Sequence, residues 1–439
     1  MIGQRFMSVA GILVLLGIAF LFSNNRRRIR WSIVSWGFGL QLTFALLILK
    51  TELGRALFMF GNLLVNRLLS FTDAGASFLF GKYYYTTREI VENLGAGGPY
   101  QLIDASTGSY VDIGIVFAIH ILPTIIFFSA FISILYHLGI MQWIVERIAW
   151  VMAKTLKTSG VESLSCASNI FVGQTEAPLL IKPFIKDATQ SELMAIMVGG
   201  FATIAGGVMA AYVRFGVEAG HLLSASVMSA PAALMIAKIM FPETEHAATA
   251  GQVHIKAEHS TANVLDAAAL GAKDGLGLAL NVGAMLLAFI ALIAMFNFFL
   301  GHLDELLNWI TFYQFNFQFN LSLASIFGFI LRPLALLMGV SWKDAAHFAQ
   351  LLGTKISINE LIAYVDLVGL KSTLEPRTFT IATYALCGFA NFSSIAIQIG
   401  GISALAPERR SDLAAIGLKA MFGGAIASWL TACIIGIII

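Results

Sequence analysis

Two short stretches of the chain place groups that could bind a solute inside otherwise apolar sequence. Residues 173–178 read GQTEAP, and Asn359-Glu360 lies at the centre of GTKISINELIAY. A carboxylate such as Glu176 or Glu360 is costly to bury in apolar surroundings, so each is a candidate functional group. The glycine and proline of the first stretch also oppose a continuous helix. Interrupted helices expose partial charges and free carbonyls, which could coordinate a cation beside a polar solute.

The composition indicates which class of protein must position these groups. Of the 439 residues, 58% are hydrophobic and 12% are charged, whereas a soluble domain carries roughly 25% charged residues. The apolar runs are continuous, which favours transmembrane helices over a barrel. The net charge of +2 does not indicate an acidic partner, and no nucleotide-binding motif or partner nucleic acid is expected. Three cysteines without metal-ligand spacing are interpreted as free thiols: Cys166, Cys387 and Cys433.

The apolar runs predict an all-α polytopic membrane protein with about eight transmembrane helices. The predicted spans cover residues 8–23, 31–49, 113–139, 190–213, 221–241, 267–300, 378–405 and 413–439. Residues 51–82, with a turn at 72–75, and residues 141–157 are expected to form interfacial amphipathic segments, and 83–112 an outer loop. The arginines at 26–30 and at 409–410 predict cytoplasmic ends and an external N-terminus.

Residues 162–187 and 344–368 are too interrupted for single spans and too apolar for surface loops. Each is predicted to be a re-entrant hairpin, followed by a broken span and an intact span. With the N-terminus outside, counting the spans makes the first hairpin open from the cytoplasm and the second from outside. The two units are therefore inverted relative to each other, an arrangement that indicates a transporter with a midplane binding site. We therefore expect scaffold and transport domains divided as 1–139 (N-terminal spans, mostly scaffold), 140–241 (first repeat), 242–300 (linker and long scaffold helix) and 301–439 (second repeat).

The polar residues of the two repeats are amides, hydroxyls and carboxylates, without a basic residue at the centre. This set favours a neutral solute that carries hydroxyl and amide groups over an anion. Lys355 is expected to lie at the base of the second hairpin and to extend its ammonium towards the interface. The set comprises Asn169, Gln174, Thr175, Glu176, Thr203, Glu360, Asn391 and Ser394.

With these motifs the chain resembles the concentrative nucleoside transporter family over nearly its whole length. The resemblance lies in FTDAGASFLFG (residues 71–81), SNIFVGQTEAPLL, GGFATIAG, GTKISINELIAY and CGFANFSSIAI. It implies a homotrimer in the bacterial inner membrane, in contact with lipid. It also implies a sodium-driven symporter that imports nucleosides by alternating access, with a moving transport domain.

The resemblance also implies roles for individual residues. Gln174, Thr175 and Glu176 would contact the nucleobase, partly through water, with Val208 near the base. Glu360, Asn391 and Ser394 would bind the ribose hydroxyls, with Phe389 packed against the ligand. The sodium ion would be held by Asn169, Val172, Thr203 and Ile204, with backbone carbonyls from several of them.

Two departures from the family pattern leave the preferred base open. The usual Asn-Glu-Phe is Asn359-Glu360-Leu361 here, and Thr203 stands where serine is common, although its hydroxyl keeps the oxygen. Other interpretations of the same residues also remain. Glu176 could cap a helix at a water interface, Glu360 could pair with Lys355, and Asn169 and Thr203 could bond neighbouring helices.

Two other functions are compatible with the carboxylates. A proton-coupled symporter of the same fold would use Glu176 or Glu360 as the protonated group. Asn169 favours sodium, because proton coupling needs no neutral oxygen ligand at that place. An intramembrane hydrolase could use the two glutamates as acid and base. No metal or nucleophile motif supports it, so the chain is expected not to be an enzyme.

Overall fold

The N-terminal part of the chain consists of three long helices. The computed structural model describes residues 2–84, 116–249, 261–312 and 321–439, and these are helical without a strand. The first helices are α1 (Ile2–Leu21), α2 (Trp31–Lys50) and α3 (Glu52–Phe80). The turn expected at 72–75 is wrong, because these residues lie inside the single helix α3. The expected loop at 83–112 lies, beyond Tyr84, outside the described residues.

The third span and the amphipathic segment after it are confirmed as helices. They are α4 (Leu122–His137), preceded by a π-helical turn, and α5 (Ile140–Leu156). Gly139 separates them in a left-handed conformation with φ of 75°, which a residue with a side chain rarely adopts. The chain therefore changes direction sharply where the span gives way to the amphipathic helix.

The first repeat contains two interruptions, both at the positions where the sequence concentrates polar groups and glycine. Its helices are α6 (Gly160–Ser168), a 3-10 turn (Ala177–Ile181), α7 (Lys182–Ile185), α8 (Gln190–Ala202), α9 (Gly206–Arg214) and α10 (Ala219–Met240). Residues 169–176 separate the arms of the hairpin, and residues 203–205 separate the halves of the broken span.

Reciprocal side-chain caps fix the start of both α6 and α8. Ser159 accepts a hydrogen bond from the amide of Glu162, whose carboxylate accepts one from the amide of Ser159. Thr189 and Glu192 form the same pair at α8. These capping boxes satisfy amide donors that a helix start otherwise leaves unpaired.

The segment between the repeats contains an unusually long helix. α11 (Val264–Phe312) has 49 residues, far more than the ~20 needed to cross a bilayer, and is followed by α12 (Leu323–Ile330) and α13 (Arg332–Leu337). In its most apolar window only 12% of residues are buried. An exposed apolar helix of this length must face lipid or another subunit.

The second repeat follows the same order as the first. Its helices are α14 (Ala345–Ser357), α15 (Glu360–Gly369), α16 (Pro376–Leu386), α17 (Phe392–Leu405) and α18 (Arg410–Ile438). The predicted span at 378–405 is therefore two short helices separated by residues 387–391. Among the described residues, seven helical segments are long and apolar enough to cross a membrane, and this pair is not counted with them.

The two hairpins open at opposite ends of the helix bundle. At one end, the amide of Asn24 bonds to the Met240 carbonyl, and Arg409 bonds to the carbonyls of Lys186 and Ala188. The first hairpin begins and ends there, because Gly160 bonds to the Thr249 carbonyl just beyond α10.

At the other end, Ser8 donates a hydrogen bond to the Met338 carbonyl, and Asp344 accepts one from the amide of Glu375. The second hairpin begins there, beside the start of α1. This is the geometry that an inverted repeat requires, and the re-entrant course through a membrane remains a prediction.

The core is formed by the helices of the two repeats. α8, α10 and α18 pack against one another and are almost fully buried. α1 packs on α18, and α2 packs on α10, whereas α4 packs mainly along α11 and also contacts α9. The assignment of residues 1–139 mostly to a scaffold stays a prediction, as does the rest of the domain division.

Candidate functional site

The two broken spans meet at their interruptions. The amide of Phe389 donates to the Thr203 carbonyl at 3.3 Å, so the gap in one span bonds to the gap in the other. Gly388 has a φ of 136°, and a Cβ there would lie 2.7 Å from the Phe201 carbonyl oxygen. Only glycine fits both the backbone conformation and the close approach. The conformational freedom of this glycine thus allows the two interruptions to come into contact at the centre of the site.

The tip of the first hairpin is attached to the same junction. The amide of Gly206, at the start of α9, donates to the Phe171 carbonyl at 3.0 Å. A Cβ at Gly206 would lie 2.8 Å from that oxygen. The interrupted backbone of the hairpin is therefore held against the restart of the broken span, which places its polar side chains beside the second repeat.

A cavity lies at this junction, and all eight residues expected to bind substrate line it. They are Gln174, Thr175, Glu176, Val208, Glu360, Phe389, Asn391 and Ser394. The remaining lining residues are Gly173, Ala205, Leu278, Val282, Asn359, Leu361, Ser393 and Ile397. Two of these, Leu278 and Val282, belong to α11, so the long helix forms one wall of a cavity that the repeats otherwise build.

At the second-hairpin side of the cavity, Glu360 is held by two side chains. Its Oε1 accepts a hydrogen bond from the Tyr212 hydroxyl at 2.9 Å, and its Oε2 accepts one from Asn391 Nδ2 at 2.9 Å. Glu360 is buried and begins α15, where the helix dipole favours a negative charge. Each oxygen keeps capacity for a further donor, so the carboxylate can accept bonds from solute hydroxyls.

Asn391 is fixed in turn by its own helix. Its Oδ1 accepts hydrogen bonds from the amide of Ser394 and the hydroxyl of Ser393, both at 2.8 Å, so it caps α17. Asn359 caps α15 in the same way through the amide of Ile362. With Oδ1 engaged as the cap, the Asn391 amide group points its donors at Glu360 and the cavity.

At the first-hairpin side, Gln174 is oriented by a residue that the sequence analysis did not identify. Gln398 Nε2 donates to the Met197 carbonyl at 3.1 Å and to Gln174 Oε1 at 3.0 Å. Because a backbone carbonyl can only accept, the amide group of Gln398 must face it, and the atom of Gln174 nearby must be its oxygen. Gln174 consequently presents its NH2 donors to the cavity. A Cβ at Gly200 would lie within 3 Å of both glutamine side chains, so glycine makes room for the pair.

The other polar group at this side is less completely bonded. Glu176 Oε2 is buried without a hydrogen-bond partner, although it lies in the cavity wall. Thr175 lies over Gly401 of α17, where a Cβ would lie 2.9 Å from Thr175 Cγ2. Val208 is buried and Phe389 is partly exposed, and they supply apolar surface beside these groups.

The expected sodium ligands occupy the ends of α6 and α8. Asn169 is the residue after α6, and its Nδ2 donates to the Ser165 carbonyl at 2.9 Å, while its buried Oδ1 has no hydrogen-bond partner. Thr203 is the residue after α8 and donates its hydroxyl hydrogen to the Gly199 carbonyl at 2.9 Å, which leaves the oxygen lone pairs available. A Cβ at Gly199 would lie 3.6 Å from Asn169 Nδ2, so the two helix ends are adjacent.

The backbone completes a set of oxygens that fits a hard monovalent cation. Val172 and Ile204 lie in the two interruptions, and within the described residues neither carbonyl accepts a hydrogen bond. Buried oxygens without donors are costly unless something pairs with them. Neither α6 nor α8 carries a basic residue in its last turn. This set of oxygen ligands therefore fits the sodium ion that is expected from the sequence.

The expected position of Lys355 is wrong. Its side chain is fully buried rather than extended to an interface, and Nζ donates to the Ala385 carbonyl at 2.9 Å. No carboxylate lies within ion-pairing distance of it in the described part of the chain, so Glu360 is not its salt-bridge partner. The ammonium instead satisfies a carbonyl at the end of α16.

Sequence reasoning also missed Gln398 and Tyr212, which position predicted site residues. A signal exists for Gln398, since it is a lone amide within the apolar run IAIQIGG, and such residues usually bond to a neighbouring helix. Tyr212 follows two alanines in α9 and has no comparable local signal. Its role depends on which residue α9 faces across the junction.

Comparison with protein families gives three adjoining matches along the chain. Residues 10–83 match the Na+ dependent nucleoside transporter N-terminus, and residues 221–436 match the corresponding C-terminus. Residues 118–218 match the nucleoside recognition family named Gate.

Individual relatives match over almost the whole chain. An uncharacterized transporter of Haemophilus influenzae is 43% identical, over 98% of this chain and 97% of that one. Sodium/nucleoside cotransporter 1 of Rattus norvegicus is 40% identical over 99% of this chain and 64% of that one. The present chain thus spans less than two thirds of the length of this curated relative.

Solved structures of similar chains have the same fold. CNTnw in an inward-facing substrate-bound state is 38% identical, with a TM-score of 0.86, covering 99% of this chain and 97% of that one. Variants of CNTnw in outward-facing and intermediate states match with TM-scores of 0.84 to 0.86. The relatives named here are transporters rather than enzymes, which argues against the hydrolase.

Proposed function

The chain belongs to the Na+-dependent, or concentrative, nucleoside transporter family, and on that premise we propose that it imports nucleosides by sodium symport. The observation that carries the proposal is the junction of the two broken spans. There a cavity lined by all eight expected substrate ligands adjoins a group of buried oxygens that lack donors.

The second-hairpin side of the cavity suits a ribose. Glu360 is held by Tyr212 and Asn391 and can accept further bonds from two neighbouring hydroxyls. Bonds to a charged acceptor contribute roughly 1.5–3 kcal/mol each. A site built around such an acceptor rejects solutes that lack the hydroxyl, because the carboxylate is then left unpaired. We therefore assign the ribose to Glu360, Asn391 and Ser394.

The first-hairpin side suits the edge of a nucleobase. Gln174 offers NH2 donors and Glu176 offers an unpaired acceptor oxygen, so together they match a base edge with both an acceptor and a donor. Val208 and Phe389 add apolar surface for the faces of the rings. Uridine is the first substrate to test, since its base carries both kinds of group.

The cation would be held by Asn169 Oδ1, Thr203 Oγ1 and the carbonyls of Val172 and Ile204. A bound sodium ion would supply positive charge to oxygens that otherwise lack a partner. Asn169 and Val172 lie five and two residues before Gln174, so ordering them also orders the base-binding side chain. Linkage then requires that nucleoside and cation raise each other's affinity by the same factor.

A proton-coupled symporter is the second candidate, and the unpaired Glu176 Oε2 is the observation that favours it. In that case the driving proton would reside on Glu176. The sodium proposal accounts in addition for the unpaired Asn169 Oδ1, which a proton on Glu176 leaves unexplained.

We further propose that the protein is a homotrimer of the bacterial inner membrane with a moving transport domain, and the surroundings of the site support the moving domain. Leu278 and Val282 contribute one wall of the cavity from α11, while the repeats contribute the rest. Movement of the repeats along α11 would expose the cavity to either side in turn. The exposed apolar length of α11 offers the surface for lipid and for the other subunits.

Uptake of labelled uridine into proteoliposomes tests the function. We expect accumulation with an inward sodium gradient, and little uptake when choline replaces sodium on both sides. Accumulation in choline, driven by an inward proton gradient, would replace the sodium proposal with the proton-coupled one. Absence of uptake and binding for uridine, cytidine and adenosine alike would overturn the nucleoside proposal itself.

A further inference from the structure

Within the part of the chain that the structure describes, Lys238 and Lys355 are the two buried lysines, and their partners differ. Lys238 forms an ion pair with Glu162 at 2.6 Å and donates to the Ser191 hydroxyl at 2.7 Å. Lys355 is completely buried, and its Nζ bonds to the carbonyl of Ala385 instead of a carboxylate. A buried ammonium is costly unless negative charge compensates it. Glu360 attracts Lys355 from beyond ion-pairing distance, and the direct compensation comes from the backbone around the ammonium.

The backbone around Lys355 is negative because two helix ends meet there. Lys355 lies in the last turn of α14, and Ala385 lies in the last turn of α16. The last carbonyls of a helix lack partners within it and carry the negative end of its dipole. The side chains of the second hairpin satisfy these carbonyls, since Lys355 bonds to Ala385 and the Tyr364 hydroxyl bonds to Thr383 at 2.7 Å.

The first repeat brings together the same two kinds of helix end. There α6, the first arm of the hairpin, and α8, the first half of the broken span, end directly before Asn169 and Thr203. Neither helix has a basic residue in its last turn, and Asn169 Oδ1 has no partner. The negative helix ends are thus neutralised by a covalently attached cation in one repeat and left open in the other.

We propose that the Lys355 ammonium is the second repeat's built-in counterpart of the sodium ion in the first. This inference rests on the proposed sodium coupling. Under it, the second repeat has no place for a second mobile cation, and one sodium ion accompanies each nucleoside through this chain. Lys355 acts as a positioning residue, because its bond fixes the end of α16, five residues before the ribose ligand Asn391 begins to cap α17.

Replacing Lys355 by alanine tests the proposal, with thermal unfolding of the purified full-length protein as the readout. Sodium is titrated against choline at constant ionic strength, and the variant is also heated with propylammonium chloride. Lys355→Arg serves as the charge-retaining variant. Lys238→Ala is the matched control, because it removes a buried lysine whose partner is a carboxylate.

The proposal predicts different cation responses for these proteins. In wild type and Lys355→Arg, the rise of the unfolding temperature with sodium concentration should fit binding at one site. Lys355→Ala in choline should unfold roughly 5 °C lower, from loss of a charged hydrogen bond. Its sodium curve should become two-site, and propylammonium should restore most of the lost stability. Lys238→Ala should lose stability while keeping the one-site curve and gaining nothing from propylammonium.

Several outcomes would overturn the proposal. A one-site sodium curve for Lys355→Ala without propylammonium rescue would show that no cation replaces the ammonium. Failure of Lys355→Ala to fold in every cation would show the same. Rescue of Lys238→Ala by propylammonium would make the effect nonspecific. If the unfolding temperature of the wild-type protein does not change with sodium, the proposed sodium coupling is contradicted. Failure of the sodium proposal can thus be told apart from failure of the Lys355 proposal.

Discussion

The tips of the two hairpins contain the same acidic group in opposite bonding states. Glu360 in the second repeat has a hydrogen bond to each oxygen, from Tyr212 and Asn391. Glu176 in the first repeat has a buried Oε2 without a partner, and Asn169 Oδ1 nearby is also unpartnered. One repeat is therefore organised by the protein itself, whereas the other is left to be completed by what binds.

This difference determines which repeat gains free energy when a ligand binds. A buried polar atom without a partner costs roughly 1–3 kcal/mol, so the first hairpin gains when ligands arrive. In the second hairpin Glu360 is already bonded at both oxygens, so under the proposed assignment it offers a fixed surface to the ribose. Under the proposed function, the first repeat is thus the place where cation and nucleoside influence each other, and the second repeat orients the ribose.

The largest effect is expected when the organised tip is broken. Glu360→Gln removes the charge that Tyr212 and Asn391 hold in place, and the amide must turn a donor towards one of them. We expect uridine affinity to fall by ~100-fold or more, in line with sites built to bind hydroxyls. Equilibrium binding of labelled uridine to purified protein measures it.

Glu176→Gln is the matched variant in the first repeat. The Glu176 carboxylate is bonded within its own loop, at Gly173 and Thr175, and among the described residues it has no partner in the second repeat to lose, so we expect a decrease of only ~10-fold. Free uracil should compete poorly with uridine at the wild-type protein, because it lacks the ribose. Equal losses in both variants, or equal competition by uracil and uridine, would contradict the assignment of the ribose to the second repeat.

An intermediate effect is expected at Asn169, the proposed cation ligand beside the first hairpin. Asn169→Ala removes the side-chain oxygen that lacks a partner, and we expect the sodium concentration for half-maximal uridine binding to rise ~10-fold. The enhancement of sodium affinity by uridine should weaken by the same factor, because coupling is reciprocal.

Asn62→Ala provides the control for this prediction. Asn62 accepts a hydrogen bond from the amide of Gly220 at the start of α10, outside the helix interruptions. Its replacement should leave the sodium concentration for half-maximal uridine binding unchanged. An unaltered sodium dependence of uridine binding in Asn169→Ala would contradict the proposal that a cation completes the first repeat.

The smallest effect is expected for the residue that joins the two repeats. Gln398→Met keeps the length of the side chain but removes the donors to Met197 and Gln174, so the Gln174 amide can rotate. We expect the ratio of uridine to cytidine affinity to change by ~5-fold, since one neutral hydrogen bond is redirected. The preference for ribosides over 3′-deoxyribosides should persist, because Glu360 is untouched.

Gln41→Met is the matched control for this last variant. Gln41 is also a fully buried glutamine whose Nε2 donates to a side chain, Thr431, and whose Oε1 is unpartnered. It lies on α2 outside the cavity lining, so base selectivity should not change. A base ratio that moves equally in both variants would indicate a general packing effect instead of orientation of Gln174.

The residues that line the candidate site could be predicted from the sequence. Glycine, proline and polar groups within apolar runs mark where helices cannot continue through a membrane, so the interruptions at 169–176, 203–205 and 387–391 were largely predictable. The repeated order of hairpin and broken span then indicated that these interruptions meet. All eight expected substrate ligands do line one cavity.

Which polar groups bond to one another depends on the packing of distant segments and could not be predicted from the sequence. Lys355 was expected at an interface, but the end of α16 packs against α14 and offers a carbonyl deep in the core. Gln398 and Tyr212 became positioning residues because α17 and α9 turn those side chains towards Gln174 and Glu360. Local sequence records the cost of placing a polar group in apolar surroundings. The partner that offsets that cost comes from a distant segment, and its identity depends on how the helix ends are packed together.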